Sequence, residues 1–143
     1  SLSCMYITWE TYQCGNVLSL IVSCGWGFDM NTHSVYLYDT ATGEQMTTAQ
    51  LLETLQVEPE TFLTAVRQAA AERFDGKYAG IGGDTDELVA ERRAWTLSDE
   101  NINLDVMTYA DAAGNLYAYL PIGSIAGAAS YEEPLTLDLG AAG

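Results

Sequence analysis

The chain has 143 residues, with five Lys plus Arg against twenty Asp plus Glu, for a formal net charge of −15. That charge repels nucleic-acid phosphates and anionic membrane surfaces, which argues against both as partners, and no apolar run approaches the roughly 20 residues of a membrane-spanning helix. The length fits one α+β domain over 1–143, long enough to bury about two-thirds of its unfolded surface. Because the sequence starts at Ser1, with no methionine and no basic segment leading an apolar one, it is expected to be a fragment of a longer secreted or membrane-anchored protein.

Three cysteines, Cys4, Cys14 and Cys24, lie ten apart near the start. An odd count leaves at least one unpaired, and no C-x-x-C pair points to zinc or thiol redox work. Residues 5–13 and 16–24 read as two strands joined by a turn at Cys14-Gly15. Their apolar faces are Met5, Ile7 and Trp9 on the first and Leu18, Leu20, Val22 and Cys24 on the second, which a two-residue turn brings to one side. Cys4 and Cys24 then point to opposite faces, so no disulfide is expected between them.

Residues 25–31, Gly-Trp-Gly-Phe-Asp-Met-Asn, form a loop with two large aromatics between glycines. In the next strand Val35, Leu37 and Asp39 share one face and Tyr36 and Tyr38 the other. Asp39 opens a turn in which Gly43 is free to take positive φ. Thr47 and Gln50 have capping-box spacing at the start of a short helix bearing Leu51, Leu52 and Leu55. Pro59 suits the first position of a second helix, 59–74, whose apolar stripe is Phe62, Leu63, Val66, Ala69, Ala70 and Phe74.

A glycine-rich, acidic loop is expected from Asp75 to Asp86, a helical or irregular segment over 87–94, and a short strand over 94–97. Strands are expected at 102–109 and 115–122, joined by a turn at Asp111–Gly114, and a last short strand over 135–139. Together these predict an antiparallel sheet of about five strands with helices packed on one face, the aliphatic one. The other face would collect Tyr6, Tyr12, Tyr36, Tyr38, Tyr117 and Tyr119, six of the nine tyrosines. Such a face suits stacking on a sugar or anchoring a protein; tyrosine is equally a common residue of half-exposed strands.

The strand, turn and helix of residues 34–55 resemble the extracytoplasmic domain found in RsiV-type anti-sigma factors and PdaC-type peptidoglycan deacetylases. The matching elements are Val17-Leu18-Ser19-Leu20-Ile21 in the first strand pair, Asp39-Thr40-Ala41-Thr42-Gly43 after a strand ending in Asp, Met46-Thr47 at a helix start, and the helix from 59. Where family members often carry Gly-Gly-Ala-His-Gly, this chain has Gly25-Trp26-Gly27-Phe28-Asp29-Met30, and His33 lies too close to Asp39 to be equated with that histidine. The resemblance implies an extracellular or cell-surface domain, of Gram-positive type, that binds rather than catalyses; in the RsiV case the ligand is lysozyme, a basic protein. An acidic domain suits a basic partner electrostatically.

No residue set reads as a reaction centre, and no cofactor or metal is expected. His33 is the sole histidine and lacks a G-x-S-x-G companion, so its plain reading is a loop residue. Asp84-Thr85-Asp86-Glu87 offers oxygen ligands for calcium but lacks the EF-hand pattern, and a solvated acidic loop explains it equally. Gly80-Ile81-Gly82-Gly83 has no Lys or Ser/Thr in P-loop spacing. The expected function is therefore a non-catalytic extracytoplasmic binding or sensing domain for a basic protein or a cell-wall glycan, with Trp26, Phe28, Tyr36, Tyr38, Tyr117 and Tyr119 as candidate contacts. The alternatives are a carboxylate-based hydrolase of cell-wall carbohydrate, or a structural module supporting a neighbouring domain.

Overall fold

The computed structural model describes residues 5–25, 31–79, 86–125 and 131–142. Strands β1 (Tyr6–Cys14), β2 (Val17–Gly25), β3 (Asn31–Asp39) and β4 (Gln45–Met46) make one antiparallel sheet in that order. Helices α1 (Thr48–Thr54), α2 (Pro59–Lys77) and α3 (Asp86–Thr96) follow, then β5 (Met107–Ala110), β6 (Leu116–Ile122) and β7 (Tyr131–Thr136), which form a second antiparallel sheet, and a last turn of helix, α4 (Leu139–Ala142). The α+β class is as expected; the single five-stranded sheet is not. The strands before and after the helices belong to separate ladders, and the segment before β5 is spent on turns rather than strand. Ile102 N–H donates to the Ser98 carbonyl, Val106 N–H to that of Asn103, and the Asn103 amide caps the carbonyls of Asp99 and Glu100. That local bonding shortens the strand expected over 102–109 to Met107–Ala110, just as helix α3 runs on through the strand expected over 94–97.

The local elements follow their sequence signals. Gly15 takes φ +57° in the β1–β2 turn, and Gly43 φ +76° in the turn after β3, where Ala41 N–H donates to the Asp39 carboxylate at 2.8 Å. Thr47 caps α1 through both arms of a capping box with Gln50, at 3.1 and 2.9 Å. Pro59 opens α2, which buries Phe62, Ala65, Val66, Ala70 and Phe74.

Register decides which face meets the core. The hairpin pairs Cys14 with Val17, so the turn is Gly15-Asn16, one residue later than expected. This moves every pairing by two residues and leaves each side chain on its expected face. Between β2 and β3 the connection spans residues 26–30 and pairs like parity with like, Leu20 with Tyr36 and Ser19 with Leu37. One side of the first sheet therefore carries Tyr12, Cys14, Val17, Ser19, Ile21, His33, Val35 and Leu37; the other carries Ile7, Trp9, Leu18, Leu20, Val22, Tyr36 and Tyr38.

The first set faces inward, against the second sheet. Val17, Ser19, Ile21 and Leu37 are buried, and β1, β2 and β3 all contact β5. The second sheet is covered on both sides. Its Leu116, Ala118, Leu120, Ile122 and Leu135 pack under α2, while Tyr117 and Tyr119 turn towards the first sheet. The aliphatic face expected to lie under the helix, Met5, Ile7, Trp9, Leu18, Leu20, Val22 and Cys24, is thus the outer face of the first sheet. The helix instead takes the equally aliphatic β6. The six tyrosines do not share a face either: Tyr6 and Tyr12 are on the inner side of the first sheet, Tyr36 and Tyr38 on its outer side, and Tyr117 and Tyr119 on the second sheet.

Cys24 is disulfide-bonded and Cys14 is free. Cys4, between which and Cys24 no bridge was expected, lies outside the described residues.

Candidate functional site

Two groupings of side chains stand out: the outer face of the first sheet and the seam between the two sheets. On the outer face, rows run across the three long strands as Trp9–Val22–Ser34, Thr11–Leu20–Tyr36 and Gln13–Leu18–Tyr38. Trp9 is 70% exposed, Ile7 61% and Tyr36 39%, and Met5, just before the strand, 72%. Leu18, Leu20, Val22 and Tyr38 are half-buried by their neighbours in these rows.

No row contains a Lys, Arg, Asp or Glu, in a chain with twenty acids. Charged side chains are strongly hydrated and costly to cover, so an uncharged apolar face can be desolvated at little cost. The wider surroundings have one sign. The first Lys or Arg in the sequence is Arg67, and all five cations, Arg67, Arg73, Lys77, Arg92 and Arg93, sit on α2 and α3. There four of them face carboxylates: Arg93 meets Asp75 at 2.8 Å, Arg73 and Lys77 share Glu133 at 3.2 and 3.0 Å, and Arg67 meets Asp99 at 3.4 Å. The first sheet has acids alone.

The seam is aromatic and closed. Tyr12 stacks on Tyr109 with ring centroids 5.5 Å apart, Tyr109 on Tyr117 at 4.9 Å, and His33 on Tyr119 at 4.1 Å. Tyr109 and Tyr119 are each only 7% exposed. Burial, then the neighbouring phenols and Glu10, push the Tyr109 hydroxyl well above the usual tyrosine range, and burial likewise raises Tyr119. The outer phenols are tied to acids. Tyr12 donates to Glu10 at 2.9 Å and Tyr117 to Asp111 at 3.0 Å, hydrogen bonds that raise both tyrosines. Hydrogen bonds from Asn115, then Tyr117 and Ala113, hold Asp111 below the usual carboxylate range.

His33 lies within β3, not in a loop, its side chain 12% exposed. Its backbone N–H donates to Glu132 at 3.0 Å, and its Nδ1, 3.6 Å from the same carboxylate oxygen, is buried without a hydrogen-bond partner among the described residues. Hydroxyl, imidazole and carboxylate are brought together here between sheets, where they bind strand to strand. An open groove of about 320 Å³ runs beside Glu132, past Tyr119, Met107, Asp105 and Glu100. Among the described residues no group of three or more His, Cys, Asp or Glu is placed to hold a metal ion, and no described helix is long and apolar enough to cross a membrane.

The structure divides the candidate contacts. Tyr36 and Tyr38 lie on the open outer face; Tyr117 and Tyr119 lie in the seam, Tyr119 almost wholly covered. Trp26 and Phe28 are outside the described residues, as are Asp84, Thr85 and Gly80–Gly83. Sequence reasoning placed Ile7, Trp9, Leu20 and Val22 in the core and so missed them as surface residues. The signal available was the second aliphatic strand, Leu116 to Ile122, which supplies α2 with a partner and leaves the first sheet's aliphatic face without one. No family model matches the chain, and no curated protein matches it.

Proposed function

We propose that the chain is a non-catalytic extracytoplasmic binding domain that recognises a basic protein through the outer face of its first sheet. The observation that carries this reading is the uncharged, aromatic and aliphatic surface of Ile7, Trp9, Leu20, Val22, Tyr36 and Tyr38 on a chain of net charge −15. Aromatic side chains held on a rigid sheet give large contact area at small entropic cost, the usual make-up of an interface centre. The net negative charge of the chain speeds encounter with a cationic partner. The disulfide at Cys24 supports an oxidising location outside the cytoplasm.

The test is a binding assay on immobilised domain with a panel of basic secreted proteins and soluble peptidoglycan fragments, at low and at physiological salt. A basic protein is expected to bind saturably, more weakly as salt rises, and to lose at least about tenfold in affinity with Trp9→Ala and with Tyr36→Ala. Binding of glycan alone, or of protein with both variants unaffected, would refute the assignment.

A further inference from the structure

The edges of the two sheets are not alike. Among the described residues, β4 closes one side of the first sheet with two residues; in the second sheet β5 is four residues long and β7 carries Pro134 beside Glu132 and Glu133. Short length, proline and charge are the devices that keep an edge from pairing with another chain. The β1 edge is neither short nor interrupted by proline, and it is almost uncharged. It is nine residues long, pairs with β2 without a bulge from Tyr6 to Cys14, and contains no proline, no lysine and one charge, Glu10. Residues 6–11 are exposed on both faces, so the strand overhangs the second sheet and meets it only near Tyr12.

We propose that β1 is a docking edge: it takes up an extended segment of the partner protein as an additional strand of the first sheet. The inference rests on the binding reading above and gives it a mode and a sequence preference. With Cys14 and Val17 closing the turn, alternate residues Ile7, Trp9, Thr11 and Gln13 direct N–H and C=O away from β2, towards the incoming backbone. Successive side chains of that segment fall on opposite faces. One set extends the outer surface beside Ile7 and Trp9 and is apolar. The other lies on the inner side, where Glu10 is the charge and no cation is near, and is basic. The ligand is thus a strand of alternating apolar and basic residues.

A second copy of this chain fits poorly. Full-length antiparallel pairing of two β1 strands is centred on Glu10 and sets the two carboxylates opposite each other, a destabilising pair, between molecules of charge −15.

The experiment uses the whole chain and a nine-residue peptide of alternating Lys and Val, followed by amide exchange. The expected result is saturable binding with amide exchange at Ile7, Trp9, Thr11 and Gln13 slowed at least about tenfold. The same peptide N-methylated at alternate backbone nitrogens keeps composition and charge but loses strand pairing in one register; it is expected to bind at least about tenfold more weakly. Because the modification is in the peptide, no protein variant has to fold. If the peptide binds, weakens with Tyr36→Ala, yet leaves the β1 amides unprotected, the face reading stands and the docking edge is overturned. No binding at millimolar peptide, equal binding of the N-methylated peptide, or protection of the same amides by dimerisation without peptide would each overturn it too.

Discussion

Replacing Ile21 and Trp9 by alanine separates the two sides of the first sheet. Ile21 is 2% exposed, between the sheets, while Trp9 is 70% exposed on the opposite face. Truncating Ile21 removes three side-chain carbons, about 2.4 kcal/mol at about 0.8 per buried methylene. A residual cavity of about 50 Å³ at about 24 cal/mol per Å³ adds about 1.2 kcal/mol. The total, about 3.6 kcal/mol, is a large share of a typical stability of about 5–15 kcal/mol. Trp9→Ala deletes far more atoms, and a buried tryptophan would cost about 3–5 kcal/mol; from its exposed position the cost is expected to stay below about 1 kcal/mol, the span of strand preference. Urea unfolding followed by far-ultraviolet circular dichroism, under non-reducing conditions so that the Cys24 bridge is common to both, measures the difference. With a urea slope of about 2 kcal/mol per molar, the midpoint should fall by about 1.8 M for Ile21→Ala and less than about 0.5 M for Trp9→Ala. A cost for Trp9→Ala equal to or above that of Ile21→Ala would refute the assignment of faces.

Two further expectations concern the core and the seam. At Gly123 an added methyl group would sit 2.9 Å from Thr96 Oγ1 and 3.0 Å from the Arg92 carbonyl oxygen, so Gly123→Ala must push α3 from the end of β6. It would also strain the 2.9 Å hydrogen bond from Gly123 N–H to Thr96. A loss of about 1–3 kcal/mol is expected, read as a lowered thermal midpoint, and an unchanged midpoint would contradict the close approach. Tyr109 bears on alkaline stability. Its folded-state proton affinity is raised, so the unfolded chain releases this proton near pH 10 while the folded chain retains it. Its contribution is therefore complete below about pH 10 and declines as pH rises beyond, because the folded state then holds more protons than the unfolded. Tyr109→Phe should flatten the fall in stability above about pH 10; parallel pH profiles for the two proteins would argue against a buried, neutral phenol.

Much of the local structure was legible in the sequence because its causes are local. The capping box of Thr47 and Gln50, Pro59 at the head of α2, the Asp39 and Gly43 turn and the alternation of β3 and β6 each depend on residues within a few positions of one another. Which surface each strand buries depended on long-range pairing. The alternation of Leu18, Leu20 and Val22 is more apolar than that of Val17, Ser19 and Ile21, so pattern alone turns β2 the wrong way. Two aliphatic faces compete for one long helix, and α2 covers β6. The tyrosines of the second sheet then close over Ser19, Ile21 and His33. The parity of the 26–30 connection places Tyr36 beside Leu20, on the same face as Trp9 and apart from Tyr12. The sequence by itself determined the first hairpin, β3, β6, helices α1 and α2, the acidic charge and the late position of every cation. The tertiary structure decided that the most apolar face of the first sheet is left outside, because burial is allotted by competition among all faces of the chain and no single strand contains that information.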